Sequence, residues 1–158
     1  MILETSRFGR LDVPEEKILT FSDGLYGFGD CHRFIVLEIG GGIPGLKWLQ
    51  SVDDGALAFV IADPAVFWPN YRPEVPKADL AEMGLRSVEE GIVMAVCSVP
   101  ETPRGMTANL QAPLVINPAD RKGRQVVLSS PEYGLKNRVF PAATTAQPVP
   151  AARPSKGG

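Results

Sequence analysis

Side chains that build catalytic and metal centres are scarce in this 158-residue chain: it holds one histidine and two cysteines. Cys31, His32 and Cys97 contain no C-x-x-C pair, so a zinc site has no framework. Cys31 and His32 are neighbours at the start of an apolar run, and adjacent strand residues point to opposite faces, which places them poorly for a nucleophile–base pair. No apolar stretch approaches a membrane span, and Glu4 and Arg7 interrupt the N-terminus before a signal-peptide core could form. A cytoplasmic protein with reduced thiols and no membrane contact is therefore expected. Neither charge sign dominates: 16 Lys and Arg stand against 18 Asp and Glu. The stretch 141–158 holds two of those bases and no acid, so residues 1–140 carry 14 against 18, a net of −4. Such a body repels nucleic acid and suits a basic partner.

Glycine and proline, by contrast, are plentiful, at 16 and 15, and cut the chain into short segments of an all-β fold. Ile2–Ser6 and Arg10–Val13 read as a hairpin turned at Gly9, and Ile18–Phe21 as a third strand. Arg33–Ile39, Lys47–Val52 and Ala56–Ala62 make a meander. Ala65 to Val75, aromatic and proline-studded, is expected to run extended along a sheet edge. One short helix follows Pro76, with Gly84 as its cap. Val93–Val99, Thr107–Ile116 and Gln125–Leu128 are expected as a second antiparallel meander. The stretch Met106–Asn117 organises the rest, because Leu114, Val115 and Ile116 need cover on both faces, with Pro113 marking a bulge or edge. An antiparallel β-barrel-like domain over 1–140, needing no cofactor, is the fold expected. The Pro/Ala-rich tail, 141–158, is expected to be disordered.

Superficial motifs fail on inspection. Gly40–Gly45 with Lys47 has the wrong spacing for a phosphate loop and lies between strands, so it reads as a hairpin end. Gly24, Gly27 and Gly29 precede no helix, yet their loop should be ordered because Leu25, Tyr26 and Phe28 can pack. The paired acids Asp53–Asp54 and Glu89–Glu90 read as solvated turns. Arg121, Lys122 and Arg124 form the one compact basic cluster, too small to outweigh the acidic body unless the tail adds to it, and an RNA binder that uses them is a third reading, which predicts salt-sensitive affinity.

Phe21-Ser22-Asp23-Gly24-Leu25-Tyr26-Gly27-Phe28, Leu49–Val52, Leu57–Pro64, Asn70-Tyr71, Met106–Asn117 and Gly123–Leu128 together resemble the flagellar assembly factor FliW family, through to Tyr133. Tyr26 departs from it, standing where the family usually has proline, and the tail lies beyond the family's core. The resemblance implies a non-enzymatic cytoplasmic barrel, without catalytic or metal residues, that binds flagellin and, in exchange, the translational repressor CsrA. Release of CsrA's hold on flagellin message would follow, with no direct contact to nucleic acid. Asn70, Tyr71, Thr107, Asn109 and Asn117 are the candidate partner contacts: the tyrosine suits an interface and the others offer polar groups beside the central strand. The competing reading is that Asn109 and Asn117 satisfy turn or bulge backbone. Leu25, Tyr26 and Phe28 read as core or loop anchors. An alternative of another class is a small-molecule-binding or hydrolytic barrel using Cys31, His32 or Cys97.

Overall fold

The computed structural model describes residues 1–39, 42–129 and 132–140. Gly40 and Gly41 of the expected hairpin end, and the tail expected to be disordered, lie outside them. An N-terminal hairpin of β1 (Ile2–Thr5) and β2 (Gly9–Asp12) precedes the main sheet. The meander follows as β3 (Leu19–Phe21), β4 (Arg33–Glu38), β5 (Leu46–Ser51) and β6 (Ala58–Ala62). Then come β7 (Ile92–Ser98), β8 (Thr107–Ala108), β9 (Leu114–Asn117), β10 (Lys122–Gln125) and β11 (Asn137–Arg138). Strands β3, β4, β5, β6, β7, β9 and β10 pair in a closed ring, so the expected all-β barrel is what forms. Its closing seam is the parallel pair β10–β3, with Gly123 opposite Phe21. A Cβ at Gly123 would stand 2.4 Å from two carbons of the fully buried Phe21 ring, so glycine lets the seam close.

The organising stretch is not one strand. β8 pairs with Cys97 and Ser98 of β7, and β9 with Ile92, Val93 and Met94 of the same strand. Continuing the β8 register would set Gln111 opposite Met94; Leu114 is there instead, so three residues are looped out. The Asn109 side chain holds the loop, its Oδ1 accepting from the Gln111 and Ala112 N–H groups, each at 3.0 Å. The last expected strand is also displaced, to Lys122–Gln125. Residues 126–128 follow the looped segment instead, with Val126 N–H on the Pro113 carbonyl and Leu128 N–H on that of Gln111. Ala65–Val75 is not wholly extended either: a one-turn helix α1 (Pro64–Phe67) opens it, because Asp63 accepts from Ala65 N–H and Pro64 suits a first helical turn. The helix expected after Pro76 is α2 (Lys77–Glu82), closed by Gly84 at φ 73°.

Alternation puts Phe21, Phe34, Leu49, Ile61 and Leu114 inside the barrel, each fully buried. Outside it, Tyr71, Leu80, Met83 and the chain around Met106–Leu128 cover β6 and β7 with a larger apolar layer. The β1–β2 hairpin covers β4 through Leu3, Val13 and Ile35. Burial of each such side chain contributes about 1.5–3 kcal/mol. The barrel is therefore a wrapped tube, and its two ends differ. One is stoppered by the loop from Ser22 to Asp30, whose Leu25 joins the interior and whose Phe28 packs edge-on against Phe59, ring centroids 5.1 Å apart. Gly24, at φ 68°, makes the tight return, since a Cβ would stand 2.7 Å from the Phe28 carbonyl oxygen.

Candidate partner-binding surface

The five candidate contacts separate into different environments. Tyr71 is buried, and the hydroxyl expected at an interface donates instead to the Leu110 carbonyl at 2.7 Å. Burial raises the phenol's pKa well above its ordinary value, and neighbouring Tyr133 adds to the rise. The looped-out residues leave the Leu110 carbonyl without a ladder, and Tyr71 satisfies it. Asn109 holds that loop, as above. Asn117 is buried: its amide donates to the Met83 carbonyl at the end of α2, at 2.7 Å, and accepts from the Ala119 and Asp120 N–H groups. For both asparagines the backbone-satisfying reading describes what their side chains do. Thr107 is half-buried in β8 between Ser98 and Arg138. Asn70 stays exposed on the rim of a hollow of about 390 Å³ walled by Phe67, Trp68, Tyr71 and Tyr133.

The stopper loop contributes a surface that the sequence reading assigned to packing. Leu25 is buried as expected, but Tyr26 is 63% exposed and Phe28 40%. Tyr26 is presented by its backbone, whose N–H donates to Gln125 Oε1 at 2.9 Å, while Gln125 Nε2 holds the Ala112 carbonyl. A proline at this position has no N–H and could not make that bond. Beside the loop, Arg124 bonds to Asp79 at 2.7 Å and to Asp23, and reaches Glu82 at 3.4 Å. The bond to Asp79, with the charges of Asp23 and Glu82, raises its pKa further. Three carboxylates around one cation leave this flank net acidic. Of the basic cluster, Arg124 is thus neutralised and Arg121 donates to the Glu15 carbonyl.

Reactive groups are kept apart. Cys97 is buried in the outer layer, where desolvation pushes its thiol up to about 12, whereas Cys31 packs against the barrel interior. A thiol so raised is not a nucleophile near neutral pH. His32 turns Nδ1 to the Phe21 carbonyl at 3.1 Å. Among the described residues no group of three or more His, Cys, Asp or Glu is placed to hold a metal, and no helix is long and apolar enough to cross a membrane.

What the fold and this surface define is a closed barrel wrapped in apolar layers, with an aromatic side chain held outward on an ordered loop. Residues 2–139 match the FliW protein family model. The flagellar assembly factor FliW of Alkaliphilus metalliredigens is 40% identical over 140 residues, covering 89% of this chain and 86% of that protein. The protein of the same name from Symbiobacterium thermophilum is 40% identical over 128 residues, covering 81% and 93%. A crystal structure of the flagellar assembly factor FliW superposes with a TM-score of 0.83 at 30% identity, covering 91% of this chain and all of that one. The chain belongs to the FliW family, that of the flagellar assembly factors.

Proposed function

We propose that this protein is a non-enzymatic, cytoplasmic assembly factor that binds flagellin and the translational regulator CsrA in exchange for one another, so that free flagellin controls its own synthesis. The observation that supports it most is the match to FliW proteins across the whole barrel, seam and stopper included. The acidic flank of Asp23, Asp79 and Glu82 beside exposed Tyr26 suits a regulator that holds RNA through a basic surface. Asn70 and Thr107 are proposed as contacts; Tyr71, Asn109 and Asn117 act behind them by fixing the chain. Exchange of this kind requires differential affinity and no chemical step.

Titration calorimetry with flagellin and, separately, CsrA of the same organism tests the reading. Binding of each is expected, with flagellin displacing CsrA from a preformed complex. Absence of heat with both partners sinks it.

A further inference from the structure

The end of the barrel opposite the stopper is open, and what surrounds the opening is chemically distinct from the rest of the surface. A cavity of about 350 Å³ enters there, walled by Leu19, Val36, Ile61, Ile92, Met94 and Ile116. Ile61, Met94 and Ile116 belong to the interior core; Val36 and Ile92 lie two residues along β4 and β7 from Phe34 and Met94 and so share the inward face. The cavity is the unfilled top of the barrel lumen. At its lip Ile92 is 46% exposed and Val36 39%. A lumen that closes at one end on Leu25 and Phe28 thus ends at the other in apolar side chains facing solvent.

Among the described residues every ionisable one lining this mouth is a cation: Lys17, Lys47 and Arg121. In a body whose net charge is −4 that segregation is the reverse of the average surface. Lys47 pairs with Glu38 across the β4–β5 hairpin at 2.6 Å, and Arg121 is anchored through the Glu15 carbonyl. Lys17 has no ion pair or hydrogen bond to another described side chain. Arg121 adopts φ 57°, the one left-handed non-glycine residue among those described, and so turns the chain at the lip between Pro118 and β10. With Lys47 neutralised by Glu38, an apolar floor edged by the cations Lys17 and Arg121 complements an apolar group flanked by carboxylates, and it opposes a basic ligand.

We infer that the open barrel mouth is a second docking site, which takes an apolar polypeptide segment flanked by acidic residues. The inference rests on the reading of this protein as a polypeptide-binding assembly factor. It adds that two partners of opposite charge are received at opposite ends, the basic one beside the stopper and the acidic one at the mouth. Apolar side chains of the segment enter between Val36, Ile92 and Met94 while its carboxylates meet Lys17 and Arg121. Occupation of the mouth by itself leaves Tyr26 uncovered.

A fluorescent amphipathic peptide of Leu and Glu, and its counterpart with Lys for each Glu, titrated against the full chain by anisotropy, tests this directly. The Leu/Glu peptide is expected to bind at least about tenfold more tightly than the Leu/Lys peptide. Ile92→Glu and Lys17→Glu, both at exposed positions that leave the core intact, are expected to weaken it about tenfold each, and Tyr26→Ala is not. Equal binding of the two peptides, no binding of either, or unchanged affinity in Ile92→Glu overturns the site. Flagellin and CsrA titrated in parallel separate the two levels. If the natural chain binds them and Ile92→Glu binds both equally well, the mouth is not a partner site and the proposed function stands; if the natural chain binds neither, the proposed function itself fails.

Discussion

The two ends of the barrel are built from the same seven strands yet finish in opposite ways. At the stoppered end a nine-residue loop, Ser22–Asp30, returns on itself through bonds from Gly24 N–H to Phe21 O and Phe28 N–H to Leu25 O, and drives Leu25 into the lumen. The turn after β5 is fixed there too: the Asp53 carboxylate accepts from the His32 and Arg33 N–H groups and from the Arg33 guanidinium. At the open end no side chain among the described residues fills the lumen, and Val36 and Ile92 are partly exposed. A barrel must bury its interior somewhere to be stable, and here one end supplies that burial while the other is left unsatisfied. Apolar surface that costs little to keep exposed, backed by a rigid tube, is what a docking surface requires.

That contrast makes a quantitative demand. Leu25→Ala should cost about 2–5 kcal/mol, the range for emptying a buried leucine site whose walls cannot collapse. Its environment, 3% exposed against Phe21 and Phe34, has little room to adjust. Urea unfolding followed by tryptophan fluorescence measures it, and a loss below about 1 kcal/mol means that the loop is a lid resting on the barrel rather than a part of its core.

The strands and the stopper loop could be read in the sequence, but the asymmetry of the two ends could not. The runs Arg33–Ile39, Lys47–Val52 and Ala56–Ala62, bounded by turn residues, located the meander to within one or two residues at each end, and glycines in Ser22–Asp30 with three large apolar residues foretold an ordered loop. The sequence did not reveal which of those three would stay outside, because that depends on Gln125, about a hundred residues away, capturing the Tyr26 N–H. The looped-out residues after β8 were hidden for the same reason: Pro113 announced an irregularity, but its size follows from the pairing of both β8 and β9 with β7. Tyr71 shows how two roles can share one sequence signal. An amphipathic side chain beside prolines is equally suited to an interface and to a buried carbonyl, and only the loop that strands Leu110 decides between them. The mouth escaped notice because Lys17, Lys47 and Arg121 are dispersed along the chain and meet only when the barrel closes.

A smaller effect should separate the ends in acid. Burial alone would lift the Asp53 carboxyl, but the bonds from the His32 and Arg33 backbone, and then the Arg33 guanidinium, outweigh it and hold the group below the ordinary carboxylate range. A lowered folded-state pKa stabilises the fold in full above the ordinary range and loses that contribution as pH falls through the folded value. Asp53→Asn should therefore cost about 1 kcal/mol near neutral pH, reduced from the usual charge-assisted bond by partial exposure, and progressively less as the solution is acidified. Thermal melts at pH 7 and pH 3 compare the two chains, and a penalty that does not shrink at pH 3 shows that the carboxylate is not what fixes the turn.

The smallest change belongs to the open end. Ile92 occupies an inward-facing position of the same lumen as Ile61 and Met94, yet nearly half of it meets solvent. If the lumen were packed to both ends, Ile92→Ala would cost what an isoleucine truncation in a core costs, about 2–5 kcal/mol. With the mouth open, its removal exposes little that was dry, and the loss should stay within about 0.5 kcal/mol. Urea unfolding of Ile92→Ala beside Leu25→Ala therefore reads the two ends against each other in one experiment. Similar losses in both would mean that the cavity is filled in solution, by a rearranged lip or by a second chain, and a protein-concentration series of the same melts tells these apart, because only the second shifts with concentration.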